Sequence, residues 1–359
     1  MRLPATYHVR ATASDIAARA QGIAVEQSVE MPLDAIDEPR VLTEIVGAVE
    51  DIADLGDGRF AVRIGLALST FGQDAGQLLN MLFGNTSLQE DVVLADIDLT
   101  EALIALNVRP QHRIGELRQR MAARHRALTA SALKPQGLAP ERLGALAERL
   151  ALGGLDFIKD DHGLADQDYS RFADRIPQCA AGIARAVRHT GHQTQYVPSL
   201  TGNLDHLRAQ AALARDTGLN CIMVAPMISG FPAVQALVRE FHEMVVFAHP
   251  SMGGLRIAPD LLIGKLFPLI GADAVIFPSY GGRFGYSQQT CRRLAENARG
   301  FGALPVPAGG MTLARAGEIL DFYGSDTMLL IGGNLLQARE RIPEEAEIFT
   351  RAVAAHVYA

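Results

Sequence analysis

Four ionisable residues stand in a row at Lys159, Asp160, Asp161 and His162, directly after the apolar run of "GGLDFIKDDH". In an extended strand successive side chains point to opposite faces, so Lys159 and Asp161 share one face and Asp160 takes the other. The first pair can therefore converge on a common point. A second lysine, Lys134, ends the preceding apolar run in "LKPQG". Such a cluster at a strand end is either a solvated polar turn or a metal site. Two lysines lining one mouth are costly unless something anionic neutralises them, which weighs against the turn.

Further along, apolar runs end at Ser199 and Thr201, at His249, and at Ser279, which opens a Gly-rich loop "SYGGRFGYS" carrying Arg283. The last two runs end in the glycine pairs Gly309-Gly310 and Gly332-Gly333. Paired glycines on neighbouring strand ends suit a phosphate site, where backbone N–H groups face the anion and a side chain would intrude. Glycine also serves strand-to-helix turns for conformational reasons alone.

The elements that must position these residues repeat regularly. From Arg126 onward the strand-like runs are "RALTASALKP", "GLDFIKDD", "TQYVPSL", "NCIMVAPM", "MVVFAHP", "DAVIFPS", "LPVPAGG" and "TMLLIGG". Between them lie segments such as "APERLGALAERLALG" and "MTLARAGEILDFYG", with apolar residues at helical spacing. Eight even units predict a (β/α)8 TIM barrel rather than a doubly wound sheet, and barrel chemistry gathers at the carboxyl ends of the strands. The start of the chain differs. Strand-like "TYHVRATA" and "SVEMP", a hairpin in "ADLGDGRFAVRIGLAL" and a helical "GQLLNMLFG" predict a smaller N-terminal α+β (ferredoxin-like) domain over residues 1–112. A linking segment, "NVRPQHRIGELRQRMAARH", leads into the barrel, assigned to 113–359.

A chain of 359 residues, 48% hydrophobic and 20% charged, buries a large core without cross-links. A net charge of -7 argues against a broad nucleic-acid-binding face and leaves room for a local anion pocket. Cys179, Cys221 and Cys291 are odd in number and widely spaced, so they read as buried reduced thiols. "MRLPATYHVRAT" lacks the apolar core of a signal peptide and no run approaches a membrane span, so a cytoplasmic address and no membrane partner are expected.

"GGLDFIKDDH" resembles the GGLDF-K-DDE signature of the RuBisCO large chain, and "LKPQG" resembles its KPK-G lysine motif one strand earlier. "VEQS", "LFGN", "AHPSMGG", "AGG" and "IGG" follow in the family's order. The resemblance implies Mg2+ on a carbamylated Lys159, with Asp161 and His162 as the other metal positions. It implies Lys134 as the proton-transfer residue, His249 as the barrel histidine, and a phosphate held by Gly310, Gly332 and Gly333. It also implies a homodimer or dimer-based oligomer in which Glu26 and Asn85 reach the partner's site.

The departures narrow this. His162 stands where the family has a glutamate ligand, which opens the site to another divalent metal. Pro250 replaces a phosphate-binding arginine, "IFPSYGG" lacks a histidine, and Ala308 replaces a serine, so the second phosphate site is erased. The mobile-loop lysine has no counterpart but Arg283, and Gln136 replaces a lysine. No counterpart of the family's long carboxyl-terminal extension is expected. A bisphosphate carboxylase is not expected; a RuBisCO-like protein acting on a phosphorylated small molecule is.

The reaction expected first is decarboxylation or hydrolytic cleavage of a 3-oxo acid phosphate of the 3-oxo-isoapionate 4-phosphate type, with Arg283 on the substrate carboxylate and Lys134 protonating the enolate. The alternatives are an enolase or 1,3-isomerase of a methylthio-sugar phosphate, a Schiff-base aldolase using Lys134 or Lys159, and a non-catalytic binding barrel.

Overall fold

The computed structural model describes residues 1–99, 109–254 and 256–358. Its first layer is an antiparallel sheet of β1 (Arg2–Arg10), β2 (Ala48–Gly56), β3 (Arg59–Ala67) and β4 (Val92–Ile97), in the order β2-β3-β1-β4. Helices α1 (Ile16–Glu26) and α2 (Ala75–Phe83) connect β1 to β2 and β3 to β4, which completes the ferredoxin-like βαββαβ order. In β1 the alternate residues Leu3, Ala5, Tyr7 and Val9 are fully buried, as a strand with one covered face requires. The expected hairpin is β2–β3, turning at Asp57 and Gly58 with positive φ at both.

"SVEMP" is not a strand. Ser28, Val29 and Glu30 all donate their backbone N–H to Val25 O, so the chain coils over the end of α1, and Glu30 sits at φ 55°. The Ser28 hydroxyl reaches back to Ala24 O (2.6 Å) and accepts from Gly47 N (2.9 Å), bonds that outcompete a five-residue alternation.

The eight predicted barrel strands are β5 (Leu128–Leu133), β6 (Phe157–Asp160), β7 (Gln195–Val197), β8 (Cys221–Val224), β9 (Val245–Ala248), β10 (Ala274–Pro278), β11 (Leu304–Ala308) and β12 (Met328–Leu330). They pair in parallel as β12-β5-β6-β7 and β11-β10-β9-β8. The halves join through a bridge between Ser199 and Met223, and on the other side the Thr327 hydroxyl donates to Pro305 O at 3.0 Å. A helical segment follows each strand.

Inward-facing residues alternate along every strand: Leu128 and Ala130 on β5, Phe157 on β6, Met223 on β8, Phe247 on β9, Val306 on β11. Within the predicted linker lies α3 (Ile114–Arg120), whose Leu117, with Met121 and Ala123 just after it, packs into this interior cluster. Asn107 and Val108, which begin that linker, lie outside the described residues.

The small sheet is pinned to the barrel by main-chain bonds from Leu94 N to Arg256 O (3.0 Å) and from Ala258 N to Leu94 O (2.9 Å). The three cysteines are buried and free. Among the described residues no helix is long and apolar enough to cross a membrane.

Candidate active site at the barrel mouth

Parallel pairing of β5 with β6 sets Ala132 opposite Lys159 and Leu133 opposite Asp160, so Lys134 and Asp161 emerge side by side above the strand ends. The Lys134 Nζ lies 2.5 Å from Asp161 Oδ1. His162 Nδ1 is 3.5 Å from the same oxygen, and Gln136 Nε2 donates to Oδ2 at 3.4 Å. Burial alone would raise the Asp161 pKa, but hydrogen bonds from His162 and Lys134 and their charges outweigh it and hold the carboxyl well below the usual carboxylate range.

Lys159 faces the same cavity yet forms no ion pair among the described residues. Its Nζ donates instead to the carbonyl oxygen of Asp160 at 2.6 Å. The side chain is buried, and burial, reinforced by Lys134 and opposed by Asp161 and Asp160, lowers its pKa to about 8. A sizeable fraction of neutral, nucleophilic amine is thereby available near neutral pH.

His249 follows β9 and lies across the barrel from β6. Its ring stacks on His162, centroids 4.4 Å apart and nearly parallel at 8°. The backbone N–H of Ser251 donates to His249 Nδ1 at 3.3 Å, with the Ser251 hydroxyl 2.8 Å away. Since a backbone N–H can only donate, Nδ1 is the acceptor and Nε2 carries the proton. Burial first, then the charges of Lys159 and His162, depress the imidazole to about 2, so the ring stays neutral.

These groups line a cavity of about 750 Å³, together with Arg283, Gly310, Gly332 and Gly333. The glycines divide into two kinds. Gly310 has φ +92°, and a Cβ there would lie 3.1 Å from the Gly282 backbone, so the meeting of two loops already demands glycine. A Cβ on Gly332 would come no nearer than 4.0 Å to any atom, that of Lys134 Cε, and one on Gly333 would meet nothing within 4 Å. Protein packing gives no reason for this second pair, and both line the open cavity.

Arg283 is exposed at the mouth, its guanidinium 4.9 Å from the centre of the Phe284 ring. Glu26 and Asn85 do not line this cavity; they bind each other on the outer surface of the small domain, Asn85 Nδ2 donating to Glu26 Oε1 at 2.9 Å. Sequence reasoning missed Ser251, Asn334 and the apolar lining residues Met252, Phe284, Tyr286 and Met311. The serine two positions beyond a strand-end histidine and the asparagine after a glycine pair were the available signals.

The family model for the ribulose bisphosphate carboxylase large chain, catalytic domain, matches residues 113–257. The chain is 57% identical over 360 aligned residues, covering 98% of it and 96% of the relative, to a 5-methylthioribulose-1-phosphate isomerase of Rhodospirillum rubrum. It belongs to the RuBisCO large-chain family. Within that family it is a RuBisCO-like protein and an enzyme. The crystal structure of a RuBisCO-like protein from Rhodopseudomonas palustris superposes on the RuBisCO-like chain with a TM-score of 0.93 at 48% identity, covering 100% of this chain and 99% of that one. A 2,3-diketo-5-methylthiopentyl-1-phosphate enolase of Geobacillus kaustophilus is 30% identical over 90% of this chain and 84% of its own.

Proposed function

We propose that this RuBisCO-like enzyme is a 1,3-isomerase of a methylthio-pentulose phosphate, moving a proton through an enediolate without breaking a carbon–carbon bond. The observation that carries the reading is the 57% identity, end to end, with the R. rubrum isomerase. It favours the alternative among the expected reactions over cleavage of a 3-oxo acid, and the exposed, ring-stacked Arg283 adds nothing for a carboxylate clamp.

The proton leaves the carbon beside the keto group, the C–H electrons form the enediolate double bond, and the carbonyl oxygen takes the negative charge. Lys134 Nζ, positioned by Asp161, takes that proton as the neutral amine and returns it as the ammonium to the former carbonyl carbon, while the neighbouring enediol hydroxyl loses its own proton to become the new carbonyl. A second such round completes the 1,3 shift. Neutral His249 donates its Nε2–H to the developing oxyanion, a donor that needs no charge of its own. Backbone N–H groups at Gly310, Gly332 and Gly333 receive the phosphate, while Met252, Phe284, Tyr286 and Met311 offer apolar surface to a methylthio end.

Among the described residues no three His, Cys, Asp or Glu side chains form a ready cation site. The residues fit Mg2+, or another divalent ion, on one condition: a carbamate on Lys159 to supply oxygens beside Asp161, with His162 completing the set. The buried amine, held by a carbonyl and with its pKa lowered to about 8 by burial, supports that modification. When bound, the ion would draw charge from the enediolate oxygens.

The reading includes a homodimer or dimer-based oligomer, with Glu26 and Asn85 completing the partner's site. It also includes a division of the chain at residues 1–112 and 113–359, a phosphorylated small molecule as the sole substrate class, and a cytoplasmic address.

The test is 5-methylthioribulose 1-phosphate followed by NMR in deuterated buffer. Isomerisation with solvent deuterium uptake and no CO2 release is expected, and Lys134→Met should slow it by about 10²- to 10⁴-fold. Release of CO2 from phosphorylated 3-oxo acids, with the methylthio-pentulose phosphate untouched, overturns the reading.

A further inference from the structure

Between the two site residues Lys159 and Asp161, Asp160 points the other way, into the layer between barrel and helices, and is completely buried. Both of its oxygens are engaged. Oδ1 accepts from the Tyr196 hydroxyl at 2.7 Å; Oδ2 accepts from Ser199 N at 3.1 Å and from Arg175 Nε at 3.2 Å. Arg175, on the helix α4 (Phe172–Thr190), is the largest fully buried side chain of the described residues. Its Nη1 donates to Ala165 O (2.8 Å) and Ser170 O (3.0 Å), the two sides of the loop that leads away from His162.

A buried ion pair is a weak source of stability, because removing both charges from water costs about as much as their attraction returns. Well-packed apolar residues would serve the fold as well. What this pair does that they could not is tie four segments together at defined atoms: the end of β6, the end of β7, α4 and the loop of residues 163–171. The carbonyl of the same Asp160 is the partner of the Lys159 amine.

We propose that Asp160 and Arg175 are positioning residues, a strut that holds Lys159, Asp161 and His162 in register with Lys134 and His249. The inference rests on the site proposed above, because its kinetic consequence is read in that site's reaction. The strut acts through the β6 end and its loop, and neither residue lines the cavity.

The test is the paired variant Asp160→Asn with Arg175→Met, which removes both charges together so that neither is left buried alone. Turnover number, KM, thermal midpoint and amide hydrogen exchange over residues 161–171 are measured on the full chain. The strut predicts a midpoint near that of the unaltered protein and faster exchange in the loop. It also predicts kcat lowered by about 10- to 100-fold, in line with groups that orient reacting residues from behind, with KM little changed because the phosphate and methylthio ends are held elsewhere. Asp160→Asn alone keeps the Arg175 bonds to Ala165 and Ser170 and should recover part of kcat. Should the paired variant not fold, Arg175→Lys, which keeps the charge and loses the fork, reads the same quantities. Unchanged exchange and unchanged kcat in a folded variant overturn the strut. Faster loop exchange combined with no methylthio-pentulose phosphate turnover by the unaltered protein instead overturns the proposed reaction and supports the strut.

Discussion

The two ends of the barrel handle buried charge in opposite ways. At the amino-terminal end Asp156 is fully buried and saturated: Arg126 grips it through two nitrogens at 2.6 and 2.8 Å, and the Thr129 N–H and hydroxyl add bonds at 2.9 and 3.0 Å. Asp273, nearly as buried, accepts from the backbone of His112 and Val246, both at 2.8 Å. Leu117 and Met121 close that end with apolar packing. At the carboxyl-terminal end the same barrel leaves Lys159 with a single carbonyl partner, and Lys134, His162 and His249 facing open space. At the amino-terminal end, charges with complete, sealed-in partners serve the fold; at the carboxyl-terminal end, charges gathered around a void serve a ligand, with the sealed Asp160–Arg175 pair behind them as their support.

The sharpest way to break this contrast is Lys159→Met. It should abolish turnover while leaving the thermal midpoint unchanged or higher, since a buried amine with one partner is exchanged for an apolar chain of similar length. EDTA should likewise stop the unaltered enzyme, and Mg2+ with bicarbonate should restore it. A Lys159→Met protein that retains activity would place the top of the barrel with the bottom.

At the other end Asp156→Ala should cost about 3–5 kcal/mol of unfolding free energy, as the loss of one partner from a buried pair does. Activity per folded molecule should stay the same. Urea denaturation beside steady-state kinetics reads both.

A smaller effect comes from pH. Burial raises the Asp273 carboxyl from an ordinary value of 3.8 to about 7, against the pull of its backbone donors. The folded state then binds more protons than the unfolded state between those values, so this group's contribution to stability is fully present below about 4 and declines as pH rises to about 7. The thermal midpoint of Asp273→Asn minus that of the unaltered protein should therefore climb across that window and level off above it. A flat difference would show that the backbone donors hold the carboxylate ionised.

The least disturbing change is Glu26→Gln, on the outer surface of the small domain. Stability should move by less than about 0.5 kcal/mol. Turnover should nonetheless fall, and mixing Glu26→Gln with Lys159→Met subunits should regain activity, because each intact half-site comes from a different chain. Loss of activity without regain on mixing would assign Glu26 to the fold of its own chain.

Much of this was legible in the residues. The period-two alternation that separates Lys159 and Asp161 from Asp160 is a local property of an extended chain, and the structure keeps it: two residues face the cavity and the third faces α4. "ADLGDGRF" gives a hairpin because glycine and aspartate tolerate positive φ at the turn. Other elements were hidden. The buried stripe of α1, Ile16, Ala20, Ile23 and Ala24, is half alanine and gives a faint apolar signal. α3 reads as a charged linker until the barrel end it covers exists.

The sequence by itself determined the eightfold alternation of strand and helix, the small sheet ahead of it, and which side chains of β6 share a face, because all three depend on neighbours a few residues apart. Only the tertiary structure decided that Lys134 would meet Asp161, that His162 would stack on His249 from a strand across the barrel, and that Asp160 would anchor to Arg175. Those contacts depend on strand register, barrel closure and helix docking. They are set by the burial of the whole core, and no short stretch of chain carries them.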